Sequence, residues 1–517
     1  MNLLKSLFSL SFMTLISRIL GFFRDLIIAR IFGVSIYTDA FFIAFKIPNL
    51  LRRLFFEGAF SQSFTPILID YKSNKKMHHI KDFVACLLGF IICALSIIVI
   101  LGIIFSDYLI KFTAPGFSDC LKKFQVSSTL LEIMFPYVLL ISLSSLYSSI
   151  LNSWNYFAVP AISPILLNIT MIICSIFLNN FFTPPILILA WSVIIGGFIQ
   201  LIYQFPYLLK INMLMMPKFN FKNIGLLKVL KKIGPCLIGA SANQISLIFN
   251  TIFISLLNSG SISWMYYADR LIEFPIGMLG TSLSTILFTS LSKSYSKHKL
   301  EDYKKLLHWG FRIALILSLP TSIMLFILAK PLVVILFQYG KFTDFDVLMT
   351  QRALKLYSIG LIALVLVKIL SSAFYASQEI NFPTRVALFT LSMTQILNPC
   401  LIYYLQHAGL ALSFSIFGWI NFSILYWKLY QKKLISFNIN ELIFIFRLLI
   451  SAFSMIFFLI FMLYFIPLYN VSSFFTKIIR LFTILFFSGM IYLTCLHFLG
   501  VSFLYNLNNN KKNKIIN

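Results

Sequence analysis

The chain has 517 residues, of which 59% are hydrophobic and only 11% charged; its mean hydropathy is +0.91 and its formal net charge +26. This balance excludes a soluble globular domain and marks a polytopic, all-α integral membrane protein. The positive charge calls for no nucleic acid partner, because most of it lies in loops, where lysine and arginine set topology.

In chain order, apolar stretches of at least the ~20 residues that cross a bilayer fall at 7–31, 36–69, 83–106, 128–151, 158–179, 184–209, 233–257, 262–291, 308–329, 347–377, 384–404, 408–430, 443–468 and 475–504. They predict about fourteen transmembrane helices. The first stretch carries Arg18 and Arg24 and has no small-x-small cleavage site, so it reads as a retained helix rather than a signal peptide. The seven cysteines form no CxxC pair and mostly sit in apolar runs, implying neither a disulfide framework nor a metal site.

The even-numbered loops hold the lysines: Lys72, Lys75, Lys76 and Lys81 after span two, Lys210, Lys218, Lys222 and Lys228 after span six, and Lys293 to Lys305 after span eight. Loops after spans one, five, seven and eleven carry none. The asymmetry places both termini in the cytoplasm. Lys111, Lys122 and Lys123 in the third loop and Lys330 and Lys341 in the ninth are exceptions, diluted by nearby aspartates.

A repeat gives the architecture. SSILNSWNYFAVP (148–160) and SSAFYASQEINFP (371–383) lie 223 residues apart, each at a fourth-to-fifth span junction ending in proline. An even number of spans per repeat puts the relating axis along the membrane normal. The expected organisation is a six-helix lobe over 1–210, a second over 222–433, spans thirteen and fourteen over 443–504, and a cytoplasmic tail over 505–517.

Ionisable residues interrupt the early spans. A charge near the bilayer centre costs on the order of 3 kcal/mol, so it normally faces a partner or a watery cavity. Residues seven apart are turned by about 700°, close to two full turns, which puts Arg18 and Asp25 on one stripe and Asp39, Lys46 and Arg53 on another. Arg52 and Glu57 lie beside the second stripe, and span eight carries Asp269, Arg270 and Glu273. Leaving aside Arg30 at the end of span one, spans one and two hold five cations against three carboxylates, a surplus suited to an anion, and arginine's planar fork suits phosphate oxygens. The competing readings are structural: Glu57 with Arg53 and Glu273 with Arg270 as ion pairs, Asp25 as the counter-charge of Arg24, and Arg52 or Arg53 snorkelling to headgroups. Lys368 in span ten reads first as a cavity-lining or snorkelling lysine; Arg447 and Arg480 mark a lipid-tail groove or an intramembrane contact.

RILGFFRDLIIARIFG and TDAFFIAFKIPNLLRRLFFEGAFSQSFTPIL closely resemble the opening of the MurJ/MviN family, bacterial lipid II flippases of the multidrug/oligosaccharidyl-lipid/polysaccharide exporter superfamily. APGF (114–117), SWMYYADRLIEFPIGMLG (263–280) and LFQYGKFT (336–343) extend the likeness over essentially the whole chain. The resemblance implies a MATE-like, V-shaped protein in the bacterial cytoplasmic (inner) membrane that moves lipid II to the outer leaflet by alternating access. It assigns cargo binding to Arg18, Arg24, Arg52 and Arg270. Asp39 and Glu273 match sensitive acidic cavity residues, and Asp25 joins them as a gating candidate; Lys46, Arg53, Asp269 and Lys368 are secondary candidates. Some members bind sodium through acidic residues of the seventh and eleventh helices, where this chain has no carboxylate.

Expected partners are lipid II, membrane lipids and the peptidoglycan-synthesis and division proteins, with no nucleic acid. No cofactor is expected, and no GxxxxGK[ST] phosphate loop is present. An inside-negative potential of about 100 mV favours outward transfer of each negative charge by about 2.3 kcal/mol, so membrane potential is the expected driving force. The alternatives are a cation-coupled exporter, whose cavity should be acidic, and a non-transporting scaffold, which has no use for surplus interior charge.

Overall fold

The computed structural model describes residues 3–53, 61–220, 222–435, 439–465 and 473–501, and all regular structure in them is helical. In a bilayer no water satisfies backbone N–H and C=O groups, so each apolar segment bonds within itself. The chain forms two compact units, residues 1–266 with 339–346, and residues 267–338 with 347–517.

The first unit contains α1 (Leu3–Phe32), α2 (Ile36–Leu51), α3 (Ser61–Asn74), α4 (Met77–Ile104), α5 (Ser106–Thr113), α6 (Leu121–Met134), α7 (Tyr137–Ser153), α8 (Ala158–Phe177), α9 (Leu187–Lys210), α10 (Ile224–Ser255) and the first turns of α11 (Ser261–Pro275). Within it α8 packs on α1 and α9, and α7 also packs on α9. Lipid tails are as apolar as leucine, so such contacts depend on close fit rather than on water exclusion. Gly196 and Gly197 of α9 provide it: a Cβ at these positions would lie 2.6 Å from Leu167 and 2.8 Å from Tyr137.

The second unit holds the rest of α11, a π-helical turn over Ile276–Thr281, α12 (Ser282–Ser296), α13 (Leu300–Ile327), α14 (Ala329–Phe337), α15 (Asp344–Ala376) beyond its first three residues, α16 (Asn381–Leu405), α17 (His407–Gln431), α18 (Ile439–Phe465) and α19 (Phe474–Phe498). The C-terminal pair α18 and α19 is built into this unit. Phe444, Leu448, Met455 and Leu459 of α18 and Leu481, Ile484 and Tyr492 of α19 form one buried cluster with Ile316 of α13 and Ile335 of α14. At one edge Glu441, 6% exposed in the first turn of α18, pairs with Arg312 and, at 2.9 Å, with His308 Nε2, both on α13.

Among the described residues, eleven helical stretches are long and apolar enough to cross a membrane. They coincide with expected spans three to six and eight to fourteen. Spans one, two and seven fall on α1, on α2 with α3, and on α10. Besides span two, two further expected spans are not single α-helices among the described residues. The fourth breaks between α6 and α7, where Pro136 has no N–H to continue the ladder. The eighth passes through the π turn that starts directly after Pro275.

The repeat extends well beyond the motif that suggested it. At the first junction Trp154, Asn155 and Tyr156 donate to the carbonyls of Ile150, Asn152 and Leu151. At the second, Ser377, Gln378 and Glu379 donate to those of Ala373, Tyr375 and Phe374, the same three bonds displaced by 223 residues. Asn155 and Gln378 both take the left-handed conformation, at φ 66° and 64°, as a Schellman-type helix end requires. The starts of α6 and α15, and the breaks after α4 at Phe105 and after α13 at Leu328, are separated by the same interval.

Candidate functional site

The interior charges of the first unit fall into two clusters. Arg24, on α1 and 7% exposed, reaches Asp25 Oδ1 through Nε at 3.0 Å and Nη2 at 2.7 Å. Its Nη1 donates to Asn168 Oδ1 at 3.0 Å and lies 4.0 Å from Met171 Sδ, both on α8. Tyr266, on α11, accepts from Arg24 Nη2 at 3.1 Å and donates to Asp25 Oδ1 at 2.9 Å. Its ring stacks on Phe42 with centroids 3.9 Å apart. Asn168 is held in turn by donating to the Ser17 carbonyl at 3.2 Å. A buried ion pair is costly unless further hydrogen bonds support it, and here every guanidinium nitrogen of Arg24 has an acceptor.

The second cluster is built on Asp39 of α2, which is fully buried. Oδ2 accepts from Lys123 Nζ at 3.1 Å and from the Gly260 amide at 2.6 Å; Oδ1 accepts from the Ser263 amide at 3.0 Å and hydroxyl at 2.7 Å. Gly260 is the residue that opens α11, since its carbonyl accepts from Trp264 N. A glycine has no side chain to cap a helix, so Asp39 supplies the carboxylate from another helix, where the N-terminal dipole favours it. Gly260 has φ +100°, and a Cβ there would lie 2.6 Å from the Trp264 ring. Trp264 Nε1 donates to Asp346 at 2.8 Å, and Asp346 also closes a capping box with Thr343 at the start of α15. A cavity of about 410 Å³ opens beside this cap, lined in part by Tyr37, Trp264 and Phe345.

The residues of the expected stripe on span two differ in burial and in partners. Asp39 is buried, whereas Lys46 is exposed and donates to Thr251 of α10 at 3.0 Å, and Arg53 is exposed. Pro48, between Lys46 and Arg53, removes one backbone hydrogen bond from α2. On span one Asp25 is buried and Arg18 exposed. Arg52 bonds to Asn49 Oδ1 at 3.3 Å. Glu57 lies outside the described residues.

In the second unit Arg270 pairs with Glu273 at 3.2 Å, both partly exposed, and Asp269 and Glu273 lie beside Tyr357 of α15. The stem of Lys368 fills the space left by Gly280 in the π turn: a Cβ at 280 would meet its Cδ at 2.9 Å. Arg447 packs near Gly500 at the end of α19.

The family model described as lipid II flippase MurJ matches residues 28–481. The chain belongs to the MurJ family of lipid II flippases. A relative in Buchnera aphidicola subsp. Schizaphis graminum, named probable lipid II flippase MurJ, is 67% identical over 504 residues, covering 98% of each chain. A solved structure of lipid II flippase MurJ in an inward closed conformation aligns with TM-score 0.76 at 25% identity, over 93% of this chain and 97% of that one. An inward-facing multidrug resistance MATE transporter of the MOP superfamily aligns with TM-score 0.67 at 12% identity, over 81% of this chain and 96% of that one, a likeness of fold alone. The chain is accordingly a multi-pass membrane protein with the MOP superfamily fold.

Within this MurJ frame, sequence reasoning missed several partners of its own candidates. Lys123 read as a loop charge but is a buried residue of α6 paired with Asp39 and lying 4.2 Å over the Phe117 ring of the APGF motif. Tyr266 and Asn168 gave no charge signal. The available cue was NSGSI (258–262) before the SWMYYADR motif, a helix start with glycine where a capping side chain is expected.

Proposed function

We infer that this chain is a transporter, not an enzyme: it moves lipid II from the inner to the outer leaflet of the cytoplasmic membrane for wall synthesis. The observation that carries the reading is the family match over 28–481 together with 67% identity to a relative named for that activity. The cargo is a lipid-linked diphosphate, and arginines in apolar helices suit it chemically. Arg24, Arg270, Arg18 and Arg52 are its cationic contacts, and Asp25, Asp39 and Glu273 hold the surrounding structure. The working halves are the six-span sets 1–210 and 222–433, with both termini cytoplasmic by the lysine pattern. Membrane potential supplies the drive, and α18 with α19 borders the polyprenyl tail.

The test is leaflet-resolved detection of lipid-linked precursor in cells depleted of this protein and supplied with the wild-type chain or Arg24→Ala. Precursor trapped on the inner leaflet with the variant, at equal protein abundance, supports the reading; normal outward delivery in depleted cells overturns it.

A further inference from the structure

Arg24 has five N–H donors, and the first unit offers an acceptor for each: Asp25 for Nε and one Nη2 hydrogen, Tyr266 for the other, and Asn168 and Met171 for Nη1. An arginine saturated in this way takes a phosphate oxygen only by exchange, with an internal acceptor leaving as the new one arrives. The acceptors differ in how readily they can leave. Asp25 is the chain neighbour of Arg24 and 1% exposed. Asn168 and Met171 are buried on α8, with Asn168 tied to the Ser17 carbonyl. Tyr266 is half-buried, belongs to a different helix, and touches Arg24 through a neutral hydroxyl. A charged phosphate oxygen is the stronger acceptor for guanidinium, because both partners of that bond are then ionised.

We propose that Tyr266 is the release element of the Arg24 site: its hydroxyl holds the Nη2 donor that a diphosphate oxygen of the cargo takes over. This rests on the cargo reading above. Asp25 keeps the guanidinium neutralised and oriented throughout, so Arg24 is never left as an unpaired buried charge. Tyr266 is therefore a positioning residue that competes with cargo, and removing its hydroxyl strengthens cargo binding.

The experiment compares purified full-length wild type and Tyr266→Phe for binding of a short-chain polyprenyl diphosphate and of the matching polyprenol, which has no phosphate. The expected result is an affinity gain of about three- to tenfold for the diphosphate and none for the polyprenol. Structural damage only weakens binding, so a gain confined to the diphosphate isolates competition. Should Tyr266→Phe not fold, Tyr266→Leu is read in the same direction. A wild type that binds the diphosphate no better than the polyprenol overturns the cargo reading itself. A wild type that prefers the diphosphate, with the variant equal or weaker or with equal gains for both probes, overturns the release role alone.

Discussion

Asp39 lies 3.0 Å from the Ser263 amide and 224 residues before it, yet it acts as that helix's own cap. Three kinds of donor converge on its carboxylate: two backbone amides, one hydroxyl and the Lys123 ammonium. Replacing Asp39 by Ala should lower stability by about 3 kcal/mol, since it strands a buried lysine and uncaps α11. Lys123→Met alone should also destabilise, while the pair Asp39→Asn with Lys123→Met should lose less than the sum of its parts. Thermal unfolding in detergent of the four proteins of that cycle checks this; strict additivity would falsify the coupling.

Arg24→Lys should behave as a loss of function rather than a conservative change. Lysine has three donors on a single nitrogen and cannot bridge Asp25, Asn168 and Tyr266 together. The expected outcome is failure to support growth in depleted cells at normal protein abundance. Growth at the wild-type rate would mean that charge alone, without the planar fork, suffices.

Gly260→Ala should destabilise by about 1–3 kcal/mol, because the site combines φ +100° with a 2.6 Å approach to Trp264. Gly489→Ala is the control: its Cβ meets only Met324, at 3.8 Å, and a mid-helix glycine replaced by alanine gains up to about 1 kcal/mol. The two unfolding midpoints should therefore move in opposite directions.

Glu441→Ala should loosen the docking of α18 on α13, leaving Arg312 and His308 of α13 without their carboxylate. A loss of about 3 kcal/mol is expected. A cysteine pair engineered at facing core positions of α13 and α18 should then cross-link more slowly; unchanged cross-linking would show that the apolar cluster holds the helices by itself.

Much of the fold was legible because bilayer physics leaves few choices. Among the described residues every expected span falls largely on helix, since a run as apolar as 83–106 has one satisfied conformation in lipid. The repeat was legible in thirteen residues because a Schellman-type end and a following proline leave a sequence trace at 148–160 and 371–383. The site was legible as a list of charges and not as an arrangement. Asp39 and Lys46, seven residues apart, meet different helices, and the partner of Asp39 lay in what looked like a loop. Side-chain pairing across helices depends on rotations of a few tens of degrees, which periodicity alone does not resolve.

The matching helix ends at Asn155 and Gln378 belong to a wider habit. Among the described residues Asn155, Asn212, His298, Gln378, Gln406 and Lys433 all sit at positive φ without being glycine, with values from 52° to 66°. A side chain in that conformation costs roughly 1 kcal/mol relative to glycine. The chain thus carries a load of several kcal/mol spread over its corners, in a molecule whose whole margin is of similar size. Glycine introduced at Asn155, Gln378 and Lys433 should lift part of that load and so widen the margin left for core substitutions, without touching any of the cargo contacts proposed above.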